Sequence, residues 1–107
     1  MRRRIWEAGF KMRQDVYIMG YKPLQPNKQY TLSFYAKGSG SGTYAYIDWY
    51  VSGPPFVIHK EKLITNMNWP TSPITFTETA PSNVIFARIT FLAESGKYLY
   101  VSSTSFG

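Results

Sequence analysis

A chain of 107 residues, 44% hydrophobic and 18% aromatic, holds enough apolar material for one packed core. That excludes a disordered polypeptide and leaves no room for a separate regulatory domain. With no cysteine, disulfides, thiolate metal sites and cysteine nucleophiles are excluded together.

The formal charge of +6 raises nucleic acid or an anionic surface as a partner. However, Arg2, Arg3, Arg4, Lys11 and Arg13 place much of that excess in the first thirteen residues. Residues 1–13 therefore read as a basic N-terminal arm, and 14–107 as a single near-neutral domain. The opening "MRRRIWEAGF" lacks the apolar core of a secretory signal, and no apolar run approaches a membrane span. The arm itself shows no clear period and is open to being a tail, a short helix, or a segment ordered in an assembly.

From residue 14 onward, short alternating runs separated by turn residues predict an all-β chain. Strands are expected near 15–21, 29–37, 43–51, 56–64, 72–79, 84–93 and 97–103. In the second, Leu32, Phe34 and Ala36 form the inner row, leaving Thr31, Ser33, Tyr35 and Lys37 outside. "GSGSG", residues 38–42, reads as a flexible hairpin loop that sets the next strand beside it. There Ala45, Ile47, Trp49 and Val51 face inward, against an outer row of Tyr44, Tyr46, Asp48 and Tyr50. The run 84–93 has two partly apolar rows, Ile85/Ala87/Ile89/Phe91 and Phe86/Arg88/Thr90/Leu92, which fits a central strand covered on both faces, with a neighbouring protomer as one source of cover. Seven such strands predict a sandwich or small barrel.

Catalysis is poorly supplied. His59 lies between Ile58 and Lys60 on the polar alternation of its strand and reads as a solvated surface residue. The carboxylates Glu7, Asp15, Asp48, Glu61, Glu78 and Glu94 are scattered, and neither a nucleophile elbow nor a phosphate-cradling loop is present. No enzyme and no cofactor are expected; a calcium ion on oxygens such as Asp48, Asn66 or backbone carbonyls is the only metal the composition readily admits.

Nucleic-acid binding is disfavoured, because bases and aromatics occupy different segments. Carbohydrate recognition asks for flat rings with a few fixed polar groups, and Tyr35, Tyr44, Tyr46 and Tyr50 with Asp48 and Arg88 supply both kinds. The alternative is that these tyrosines stabilise the sheet or meet another subunit.

Three stretches, "LQPNKQYTLSFYAKGSG", "MNWPTSPITFTETAPSNVIFARITF" and "GKYLYVSSTSF", resemble the carbohydrate-binding-module-like jelly-roll domains, of galactose-binding-like fold, found in bacteriophage tail and baseplate proteins. The matching residues are Pro26, Tyr30, Leu32, Phe34, Ala36 and Lys37; Trp69, Phe76 and Thr77; and Gly96, Leu99 and Tyr100. The resemblance implies a jelly-roll β-sandwich in a tail, fibre or baseplate accessory protein that binds host-surface glycan. Other virion subunits would be its partners and membrane would not, with the chain made in the host cytoplasm and carried in the particle. Where family members open on a segment that often helps hold calcium, this chain has "MRRRIWEAGFKMRQ". It also stops before the family's last strand segment, which leads to an expectation of missing edge strands and a homo-oligomer that covers them.

Overall fold

The computed structural model describes residues 3–7, 12–18 and 24–107. Eight strands are present among them: β1 Arg3–Glu7, β2 Met12–Ile18, β3 Gln29–Gly38, β4 Thr43–Val51, β5 Val57–Leu63, β6 Ile74–Thr79, β7 Val84–Ala93 and β8 Tyr98–Phe106. They form two antiparallel four-stranded sheets, ordered β1-β8-β3-β6 and β2-β7-β4-β5. The chain is an all-β sandwich, as its alternation predicts, and jelly-roll-like, as the family resemblance implies. Within the segment read as an arm, Arg3–Glu7 pairs with β8, and Met12 and Arg13 already belong to β2. Residues 19–21, where the first predicted strand was to end, lie outside the described residues.

Alternation builds the core. On β3 Tyr30, Leu32, Phe34 and Ala36 are buried, and on β4 Ala45, Ile47, Trp49 and Val51 are buried, as are Ala87, Ile89, Phe91 and Ala93 of β7. Phe34 and Phe91 meet edge to face at 5.0 Å across the sandwich. Trp49 is fully buried, with Tyr30 at 6.1 Å and Phe106 at 6.0 Å. Strand β7 is central, between β2 and β4. Its outer-row residues Thr90 and Leu92 are buried within the chain itself, opposite Tyr46 and Tyr44, so no neighbouring protomer is needed to cover them.

One expectation is corrected. β3 and β4 are not adjacent: they belong to different sheets, and the Gly-Ser segment carries the chain from one to the other. Nor is that crossing loose. Gly38 N–H donates to the Asn66 carbonyl at 2.8 Å, Ser39 N–H to the Tyr98 carbonyl at 3.1 Å, and Glu94 N–H to the Gly42 carbonyl at 2.9 Å. Gly40 and Gly42 adopt φ of 83° and 68°, where glycine carries no steric penalty. A Cβ on Gly38 would fall onto the Tyr98 backbone carbonyl oxygen. Gly38→Ala is therefore expected to destabilise by about 1–3 kcal/mol, as overpacking does, and a thermal melt beside wild type checks it.

The edge strand β5 places Lys60 and Lys62 opposite Ile47 and Ala45 of the inner row. A lysine pair at such positions opposes addition of a further strand.

Candidate functional site

The register of the second sheet brings most of the candidate residues into one ladder. On β4, Tyr44 stands between Leu63 of β5 and Leu92 of β7, and Tyr46 between Glu61 and Thr90. Further along, Asp48 lies between His59 and Arg88, and Tyr50 between Val57 and Phe86. Tyr44, Tyr46, Asp48, Tyr50 and Arg88 thus share the outer face of the β2-β7-β4-β5 sheet. Tyr35 does not join them: it is on β3, opposite Ser102 of β8 in the other sheet. The expectation that it belongs to the same patch fails because β3 and β4, though consecutive, lie in different sheets, which strand patterning cannot reveal.

The ladder has a buried centre and accessible ends. Tyr46 and Asp48 are each only 7% exposed, whereas Tyr44 and Tyr50 are half-buried. The Tyr46 ring meets His59 edge-on at 4.4 Å and tilts toward Tyr44 at 6.2 Å. Tyr50 stacks on Phe86 at 4.4 Å with 7° between planes, widening one end into a two-ring shelf.

His59 is exposed, as the sequence predicts, but it also holds two carboxylate partners that nothing local to it in the sequence shows. Its Nδ1–H donates to Asp48 Oδ1 at 2.5 Å and its Nε2–H to Glu61 Oε1 at 2.9 Å. Both ring nitrogens face carboxylates, so only the imidazolium satisfies both partners. Burial opposes that charge, but the hydrogen bonds and charges of Glu61 and Asp48 outweigh it and raise the pKa above the ordinary 6.5. A signal was available in the sequence: the Gly53–Pro55 turn between two alternating runs implies a hairpin, and the hairpin register sets His59 across from Asp48.

The sign of the pH effect follows. A raised folded-state value means that the ion pairs contribute fully below the unfolded value and lose that contribution as pH rises through the folded one. The His59 side chain is 42% exposed, so screening keeps the effect small. The melting temperature is expected to fall slightly as pH rises from about 6 to 8, and His59→Gln should flatten that slope. Titration of the imidazole by NMR gives the independent check.

Among the described residues no group of three or more His, Cys, Asp and Glu side chains is arranged to hold a metal ion. Asp48, one of the oxygens considered for calcium, has an oxygen committed to His59.

Neither a protein-family model nor a curated protein sequence matches the chain. Solved structures do. A family 16 carbohydrate-binding module (Family 16 Carbohydrate Binding Module-2) superposes with a TM-score of 0.67 at 15% identity, over 96% of this chain and 74% of that one. A Clostridium thermocellum endo-1,4-beta-D-xylanase 10B structure, comprising CBM22-1 and GH10 modules complexed with xylohexaose, matches with a TM-score of 0.57 at 13% identity. That match covers 88% of this chain but only 18% of the xylanase chain. At such identities the likeness establishes the fold alone, an antiparallel β-sandwich like that of the family 16 module.

Proposed function

We propose that the chain is a non-catalytic carbohydrate-binding module that lays a sugar chain along the outer face of the β2-β7-β4-β5 sheet. The observation that carries this is the ladder itself, two accessible tyrosines flanking a hydrogen-bonded polar centre. Tyr44 and Tyr50 are six residues apart on one strand, about 20 Å at the usual rise. That span exceeds a single sugar ring and favours an oligosaccharide. The two tyrosines stack on sugar faces, with Phe86 extending the shelf at Tyr50. Glu61 and Arg88 hydrogen-bond hydroxyls between them, with His59 orienting the Glu61 carboxylate. Buried Asp48 and Tyr46 act beneath this surface, holding His59 in place.

In the setting implied by the family resemblance, the glycan is on a host surface and the module is part of a phage tail, fibre or baseplate. A shallow face of this type binds weakly per site, and many copies on a particle compensate through avidity. A glycan array of plant and bacterial-surface oligosaccharides, with wild type and Tyr50→Ala side by side, tests the binding role. Wild-type signal that Tyr50→Ala loses supports it, whereas equal signal from the two contradicts it.

A second reading makes the same face a subunit interface in a structural or decoration protein. It is favoured by Leu63 and Val57, which are 47% and 38% exposed beside Tyr44 and Tyr50. Mass measurement in dilute solution separates the two: a stable oligomer that protects Tyr44 and Tyr50 from modification supports the interface, and a monomer supports the ligand site.

A further inference from the structure

The outer face of the opposite sheet carries a second aromatic cluster, chemically unlike the first. Lys37 of β3 pairs with Tyr100 of β8. Its ammonium lies 5.5 Å from the Tyr100 ring centroid and 5.5 Å from that of Trp69, which the β5–β6 connection brings over the sheet. Tyr98, 41% exposed, meets Tyr100 edge to face at 5.6 Å. Tyr35, the residue that the fold removed from the first site, is two positions from Lys37 on the same row of β3.

Charge distinguishes the two faces. The first has Asp48 and Glu61 at its centre, both engaged by His59. On the second, the outer rows contributed by β3, β6 and β8 are Thr31, Ser33, Tyr35 and Lys37, then Thr75 and Thr77, then Tyr98 and Tyr100. They contain hydroxyls and rings but no carboxylate. β1 adds Glu7 and Arg3 at the register positions opposite Tyr98 and Ser102. Among the described residues no carboxylate forms an ion pair with Lys37. A lysine held against two rings, with no carboxylate partner among the described residues, is a fixed point charge on a flat apolar platform.

We infer that this face is a second saccharide site, selective for a sugar that carries a carboxylate, such as a uronic acid. Trp69, Tyr100 and Tyr98 supply the stacking surface, Lys37 pairs with the carboxylate, and the Thr and Ser rows of β3 and β6 meet ring hydroxyls. A single lysine matches a ligand with one charge per ring. A nucleic-acid backbone would call for a track of cations beside the rings, and β3, β6 and β8 offer only Lys37 on this face. The inference does not depend on the function proposed for the other face.

The probes are an oligogalacturonate and its fully methyl-esterified form, which keeps the rings and removes the charge. Calorimetry with the full chain should show the acid binding at least tenfold more tightly than the ester. Lys37→Gln should weaken acid binding at least tenfold, Lys37→Arg should largely retain it, and Tyr98→Ala should weaken it. Tyr44→Ala plus Tyr50→Ala should leave it unchanged, which separates this site from the ladder on the other sheet. Equal affinity for acid and ester, or no binding of either, overturns the inference on wild type alone, even if a Lys37 variant fails to fold. Loss of acid binding in the Tyr44/Tyr50 variant also overturns it, as does tighter binding of a single-stranded oligonucleotide than of oligogalacturonate.

Discussion

Trp49→Ala is expected to cost about 3–5 kcal/mol, the range for removing a large buried aromatic, and to leave a domain of this size marginal or unfolded at ordinary temperature. Trp49 is fully buried and in ring contact with Tyr30 and Phe106. Tyr30 and Phe106 themselves stack at 5.6 Å, so a cavity at Trp49 opens beside a pair that holds β3 against the end of β8. Tyr30 also accepts a hydrogen bond at its hydroxyl from Gln25 N–H at 2.7 Å, tying the approach to β3 into the same cluster. Trp49→Phe provides the contrast. The indole Nε1 is buried without a hydrogen-bond partner among the described residues, so removing it relieves a desolvation cost while most of the packing remains. Urea denaturation should show the phenylalanine variant losing well under half of what the alanine variant loses. Comparable losses would mean that Nε1 is satisfied in solution, for instance by water.

Tyr44→Ala combined with Tyr50→Ala is expected to weaken oligosaccharide binding about five- to 150-fold, at about 0.5–1.5 kcal/mol of ring stacking for each tyrosine. Both rings are half-buried on an outer face, and neither belongs to the buried core cluster. The melting temperature should therefore fall only modestly, which makes the double variant informative about binding. Tyr46→Ala behaves differently: with Tyr46 7% exposed and set against His59, it should reduce stability and binding together. Titration calorimetry with thermal melts of each variant separates the two patterns. A double variant that binds like wild type would remove the tyrosine ladder from the account.

Face assignment was legible in the sequence, and sheet assignment was not. Period-two alternation decides which side of a strand is buried, so Leu32, Phe34 and Ala36 on β3 and Ile47 and Trp49 on β4 were recoverable from residue type alone. The same alternation carries no information on which strand lies next door. Alternation alone therefore groups Tyr35 with Tyr44, Tyr46 and Tyr50, though the fold sends it to the opposite sheet. "GSGSG" misled for a related reason: its composition specifies backbone freedom, and the hydrogen bonds from Gly38, Ser39 and Glu94 that pin the crossing come from distant positions. Burial on an outer row is also a tertiary effect. Nothing local to Tyr46 or Asp48 shows that they are only 7% exposed; in the proposed reading that cover makes them supports for His59.

The most direct test of the tyrosine-ladder site is an NMR titration of the wild-type chain with the oligosaccharide that gives the strongest array signal. Saturable shifts at Tyr44, Tyr50, His59, Phe86 and Arg88, along one outer sheet face, are predicted. No saturable shift, or shifts confined to residues away from β4, β5 and β7, would contradict it.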